Sequence, residues 1–207
     1  MPEIIYLSNV RLSFPQLVEA RASVAPSPEN PNPKKKFSAD FLMAPDNPAV
    51  LQFRNACQKE AVEKWKENAN AITQLIMTDR RLRCFGNGDE KVNQKTFQVY
   101  DGYPGMFYIS ASSSNTPQMI QTDGVPVDPA NTMAYQALAR KMYGGCYVNA
   151  AVKPWLQENK HGRAIRCELV AVQFFADGEA FGEAAVDASP MFGAVGAPAT
   201  GLPSFLG

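Results

Sequence analysis

No lysine or arginine follows Arg166. All twenty basic residues lie at or before it, together with fifteen of the twenty acids. The last forty-one residues hold five acids (Glu168, Asp177, Glu179, Glu183, Asp187) and no base. The formal charge of zero thus conceals a body of +5 and an end of −5. Other absences narrow the function classes. No run of about eighteen apolar residues exists, so no membrane-spanning helix is expected. Met1-Pro2-Glu3-Ile4 has neither a basic n-region nor an apolar h-region, so no secretory signal is expected. There is one histidine, His161, and none of Cys57, Cys84, Cys146 and Cys167 forms a C-x-x-C pair. A zinc centre and a disulfide framework are therefore not expected, and the cysteines read as buried thiols of a cytoplasmic protein. No G-x-x-x-x-G-K-[ST] phosphate cradle occurs, and Gly86-Asn87-Gly88 lacks the third glycine of a dinucleotide fingerprint. Asp40, Asp89, Asp101 and Asp123 are single acids in polar surroundings, a poor magnesium set. The chain reads as a non-enzyme without a cofactor.

What is present is a series of short alternating segments. Val10, Leu12 and Phe14 alternate with Arg11 and Ser13, which predicts a half-buried strand over residues 3–14. Four prolines (Pro26, Pro28, Pro31, Pro33) predict an exposed, extended loop over 25–33. A second strand follows, with Phe37, Ala39, Phe41 and Met43 on one face. Asn47-Pro48 is a helix start. From Val50 to Ile76 apolar residues recur at spacings of three and four, one stripe that includes Trp65 and bends near Asn68-Ala69-Asn70. Alternation resumes over 106–112; a short strand is expected at Met119-Ile120 and a helix over 131–143. Two more strands, 145–155 and 163–175, form a hairpin. The far half of the last, Val170 to Phe175, is apolar on both faces and is expected to lie under a helix. These elements predict a mainly β protein: an OB-fold-like five-stranded barrel with inserted helices over residues 1–181, then a flexible Gly/Ala/Pro-rich tail over 182–207.

In an OB-fold, the loop after strand one and the turn between strands four and five flank the ligand groove. Here the first ends in Lys34, Lys35 and Lys36, and the second carries Lys160 and Arg163. Between them the open face of the fourth strand is expected to offer Tyr147, Lys153 and Trp155. Single-stranded nucleic acid needs cations for phosphates and aromatic rings for bases, so this interleaving predicts a groove for it. A second basic and aromatic set, Arg80, Arg81, Arg83, Lys91, Lys95, Tyr100 and Tyr103, extends the candidate surface.

A set of short motifs carries a family resemblance. Arg11-Leu12-Ser13-Phe14-Pro15, Lys36-Phe37-Ser38, Gly88-Asp89, Tyr100-Asp101-Gly102-Tyr103, Tyr143-Gly144-Gly145-Cys146-Tyr147 and residues 176–182 (Ala-Asp-Gly-Glu-Ala-Phe-Gly) resemble, in order and spacing, a tailed-phage single-stranded DNA-binding protein family. That family was long known only as a domain of unknown function and is similar to phage replicative OB-fold binders. The resemblance implies sequence-independent coating of ssDNA in phage replication or recombination, in the cytoplasm of the infected bacterium. Implied partners are ssDNA, duplex DNA more weakly, and phage replication proteins. The chain departs from such binders at its end: residues 194–207 contain no acid, where a dense acidic tail is usual. Two rival readings stay open, a phage structural or assembly β-barrel making protein contacts only, and a magnesium nuclease.

Overall fold

The structure is a computed structural model that describes residues 3–22, 24–28 and 30–182. The expected tail, apart from Gly182, lies outside the described residues. The elements are β1 (Ile5–Ala22), β2 (Lys35–Met43), α1 (Pro48–Trp65), α2 (Ala69–Thr78), β3 (Phe85–Asn87), β4 (Phe107–Ser113), β5 (Gln118–Ile120), β6 (Pro126–Val127), α3 (Thr132–Lys141), β7 (Tyr147–Asn159) and β8 (Gly162–Ala176). All strands belong to one sheet of eight, in the order β3-β4-β2-β1-β7-β8-β5-β6.

Five strands were expected, and eight are present among the described residues. The five long ones, β4-β2-β1-β7-β8, supply the OB order, with antiparallel pairing throughout. Successive antiparallel steps leave β4 and β8 pointing the same way, and these two strands pack side by side. A parallel bridge between Arg83 and Ile165 helps to close the seam. The extra strands are short edge pieces: β3 beside β4, and β5 and β6 beyond β8.

Local chemistry explains the elements. The Asn47 side chain accepts the amide of Ala49 at 2.9 Å, and Pro48 opens α1. The bend falls at a 3-10 turn over Lys66–Asn68, where Lys66 takes a φ of 49°. The stripe residues Phe53, Cys57, Ala61, Trp65, Ile72 and Ile76 are buried in the same core as the inner faces of the barrel. α3 plugs the other side: its Tyr135 hydroxyl donates to the carbonyls of Pro117 (2.7 Å) and Leu17 (3.3 Å).

Three boundaries differ from expectation. β1 does not stop at Phe14 but runs to Ala22. Its register with β2 shifts between Ser13 and Gln16, and this bulge takes up Phe14 (φ 46°) and Pro15, so proline interrupts the ladder without ending the strand. The last hairpin is tighter than expected, turning over Asn159–Gly162 with Gly162 at φ 99°. Among the described residues, no helix takes the far half of β8 as a main packing partner. The sheet is extended there by β5, α3 packs on β1 and β5, and Phe175 stays half-exposed.

Candidate nucleic-acid interface

Beyond its pairing with β7, which ends at Arg11, β1 continues alongside β2 to Ala22. Its register sets Arg21 opposite Lys36 and Ala22 opposite Lys35. On the far side of a groove, β7 and β8 present Gln157 and Arg166. The floor is the outer face of β2 and β4, where Ser38 pairs with Ser112. The groove encloses about 550 Å³ and is lined by Arg21, Lys34, Lys36 and Arg166, with Gln16, Asn30 and Gln157; no acidic side chain is among the described lining residues.

Among the described residues, the four cations are poorly neutralised, and Arg166 donates only to neutral acceptors, the Gln157 side chain at 3.2 Å and the Arg81 carbonyl at 2.9 Å. Arg21 has a loose partner in Glu19, at 3.8 Å with both side chains largely in solvent, a pair worth little. Burial pushes the Lys36 ammonium below the usual lysine value, and the nearby charges of Lys34 and Arg166 push it further. Like charges held together around a polar hollow make a binding place for an anion. Trp155 pairs across the strands with Arg166, shares its outer face, and keeps 36% of its surface exposed.

The remaining predicted site residues divide. Lys35 and Lys160 are exposed, and Lys153 is half-buried opposite Glu168. Arg163 is exposed but held by Glu158 at 2.6 Å, and Arg81 by Asp79 at 2.7 Å. Arg80 donates to the Glu90 carbonyl. Arg83 is not available: its side chain is buried against Glu90 at 2.6 Å and the Phe85 carbonyl at 2.7 Å. Lys91 and Tyr103 are turned inward, meeting on the Asp40 carboxylate at 2.8 and 2.7 Å. Tyr103 is fully buried, and burial beside that carboxylate pushes its phenol far above the usual value, so it serves as a fixed donor. Tyr100 is half-buried, its ring 4.9 Å from that of Phe14. Lys95 is exposed on a separate turn.

Tyr147 does not share an open face with Trp155. It lies eight positions back along β7, about 26 Å at the usual rise, under the Arg11 guanidinium at 5.2 Å. The segment that covers it, Asp177 to Gly182, is a strap built from the glycine motifs. Tyr143 donates to the Gly178 carbonyl at 2.9 Å, the Phe181 amide to Gly144, and the Gly182 amide to Asp101. Arg11 lies over the Phe181 ring at 4.5 Å and donates to the Glu179 carbonyl. Sequence reasoning missed Arg21 and Arg166. Arg166 was legible as an outward residue between the inward Ile165 and Cys167; Arg21 was hidden by the assumption that β1 ends early.

The sequence over residues 3–199 matches the family described as the ssDNA-binding protein of Enterobacter phage Enc34. The chain belongs to this family. A relative in Acyrthosiphon pisum secondary endosymbiont phage 1, putative protein p50, is 33% identical over 179 residues, which is 86% of this chain and 85% of the relative. The Enc34 family is also represented by a solved structure, the single-stranded DNA-binding protein from bacteriophage Enc34 in complex with ssDNA. It superposes with a TM-score of 0.65 at 25% identity, covering 86% of this chain and 89% of that one. The single-stranded DNA-binding protein encoded by bacteriophage T7 shares the fold, with a TM-score of 0.51 at 10% identity over 97% of this chain and all of its own.

Proposed function

We propose that this Enc34-family protein binds single-stranded DNA without reading base edges, and coats it during phage replication or recombination in the cytoplasm of the infected bacterium. The observation that carries the reading is the cation groove, whose described lining residues include no acid; it lies on the face of the second and third barrel strands, between the loop after strand one and the turn after strand four, the face with which OB barrels take oligonucleotides. Lys34, Lys36, Arg21 and Arg166 neutralise successive phosphates, and Trp155 stacks a base. Lys35, Lys153 and Lys160 add to the positive field that draws the strand in. In this reading the action is binding: the groove offers phosphates cations and a floor of serine hydroxyls. Duplex DNA, whose bases are already stacked, is the weaker ligand. Phage replication proteins are the expected protein partners.

A fluorescence titration with labelled oligo-dT at several salt concentrations tests this. Four neutralised phosphates on a single strand give a slope of log K against log salt of about −3. The double substitution Lys36→Glu with Arg166→Glu abolishes most of the affinity and flattens that slope. A wild-type protein that binds weakly and without salt dependence sinks the reading, and supports instead a barrel that makes protein contacts only.

A further inference from the structure

Residues 92–99 form a small hairpin that the groove does not use. Val92 and Val99 pair, the Asn93 amide donates to the Gln98 carbonyl at 2.8 Å, and the Phe97 amide to the Asn93 carbonyl at 2.8 Å. The Asn93 side chain accepts the Lys95 amide at 2.8 Å, fixing the turn. At its tip Phe97 is 82% exposed and held at a φ of 56°. An exposed phenylalanine is unfavourable in water, and a bulky residue in the left-handed region is strained. The turn therefore holds an apolar ring out in solvent against both costs. Its base is rigid: Lys91 is tied to Asp40 and Ser110, and Tyr100 packs on Phe14.

The base also adjoins the groove. Asp40 and Ser110 are the next outward pair along β2 and β4 after Ser38 and Ser112, one step of about 7 Å. Phe14, half-exposed in the β1 bulge, stands between them and groove residue Gln16. Residues 91–100 contain two lysines and no acid. With Lys91 paired to Asp40, the turn presents one exposed cation, Lys95, and one exposed flat apolar ring, the two features that a polyanion with stackable bases requires.

We propose that the 92–99 hairpin is a finger that continues the DNA path: the strand leaves the cation groove past Phe14, and Phe97 stacks on one of its bases with Lys95 beside a phosphate. This rests on the ssDNA-binding reading, and the test keeps the two apart. Wild type, Phe97→Ala, Phe97→Gly and Phe97→Trp are titrated with a labelled oligo-dT of about 16 nucleotides, the upper end of a single OB-fold site. Binding by wild type with failure of Lys36→Glu/Arg166→Glu establishes the groove. Phe97→Ala and Phe97→Gly then weaken binding about 5- to 150-fold, the range of one stacked base. Phe97→Trp keeps the affinity, and Phe97→Gly melts no lower than wild type because glycine accepts the positive φ. Photo-crosslinking with iodo-deoxyuridine maps to residues 91–105. If Phe97→Ala and Phe97→Gly bind as wild type does and the crosslink falls elsewhere, the finger is overturned. A variant that changes only sedimentation, with oligo-dT affinity intact, overturns it in favour of a contact between protein copies. Loss of wild-type binding itself overturns both readings.

Discussion

Lys36 is placed where its charge opposes folding. Its folded value is below that of the unfolded chain, so the unfolded chain keeps the proton longer, and stability rises with pH through that interval, beneath the ordinary lysine range. Lys36→Met is therefore expected to raise the melting temperature at neutral pH, and, on the proposed reading of the groove, to weaken ssDNA binding. A Lys36→Met variant that melts lower and binds as before would place the residue among ordinary surface lysines. The two tryptophans are expected to part. Trp155→Ala loses roughly 1–3 kcal/mol of binding with little change in melting. Trp65→Ala loses about 3–5 kcal/mol of stability, because the indole is buried and donates to Glu158 at 3.1 Å. Thermal melts and oligo-dT titrations of both variants decide this. Trp65 was legible because three- and four-residue spacing is local. Lys91 and Tyr103 were not, because Asp40, the carboxylate that turns them inward, lies 51 and 63 residues away.

Among the elements, strands and helices followed their periodicities, and the departures came where backbone geometry overrode pattern. Pro15 ends an alternating run in sequence yet sits in a bulge that lets β1 continue to Arg21, so one wall of the groove was invisible to pattern reading. The strap was visible only as glycine motifs, whose meaning needs the fold. Gly145 has a φ of 107°, and a side chain there would fall on the Glu179 carbonyl. Gly145→Ala is expected to cost about 1–3 kcal/mol through backbone strain and to free the strap. Loss of exchange protection at the Phe181 and Gly178 amides, with the barrel amides still protected, is the signature to look for. Asp40→Ala loosens the base of the finger, leaving the partly buried Lys91 ammonium with the Ser110 hydroxyl alone and the buried Tyr103 phenol without its carboxylate, and costs about 1–3 kcal/mol. Hydrogen exchange localised to residues 91–105 would confirm that this element, not the barrel, is loosened.

For the whole molecule, the charge asymmetry takes a sharper form. Asp177 and Glu179 belong to the strap, so cutting the chain before them also removes Phe181 and its packing. Ending the chain after Gly182 keeps the strap and removes Glu183 and Asp187. If those tethered anions compete with DNA, that variant binds a few-fold more tightly at low salt and the same as wild type near 0.15 M, where charges are screened beyond about 8 Å. Equal affinity at low salt would deprive the acidic end of any part in binding. The barrel closes only when β8 is laid against β4, and the groove draws on residues from Gln16 to Arg166. Arg166 is also the last base of the chain. During synthesis, at about 5–20 residues per second, the arm with Arg21, Lys34 and Lys36 emerges many seconds before the opposite wall exists. Long-range closure of this kind folds late. A nascent or prematurely ended chain thus holds three of the four cations and no groove; on the proposed reading of the groove, DNA-binding capacity arrives in a single step as the last long strand is completed.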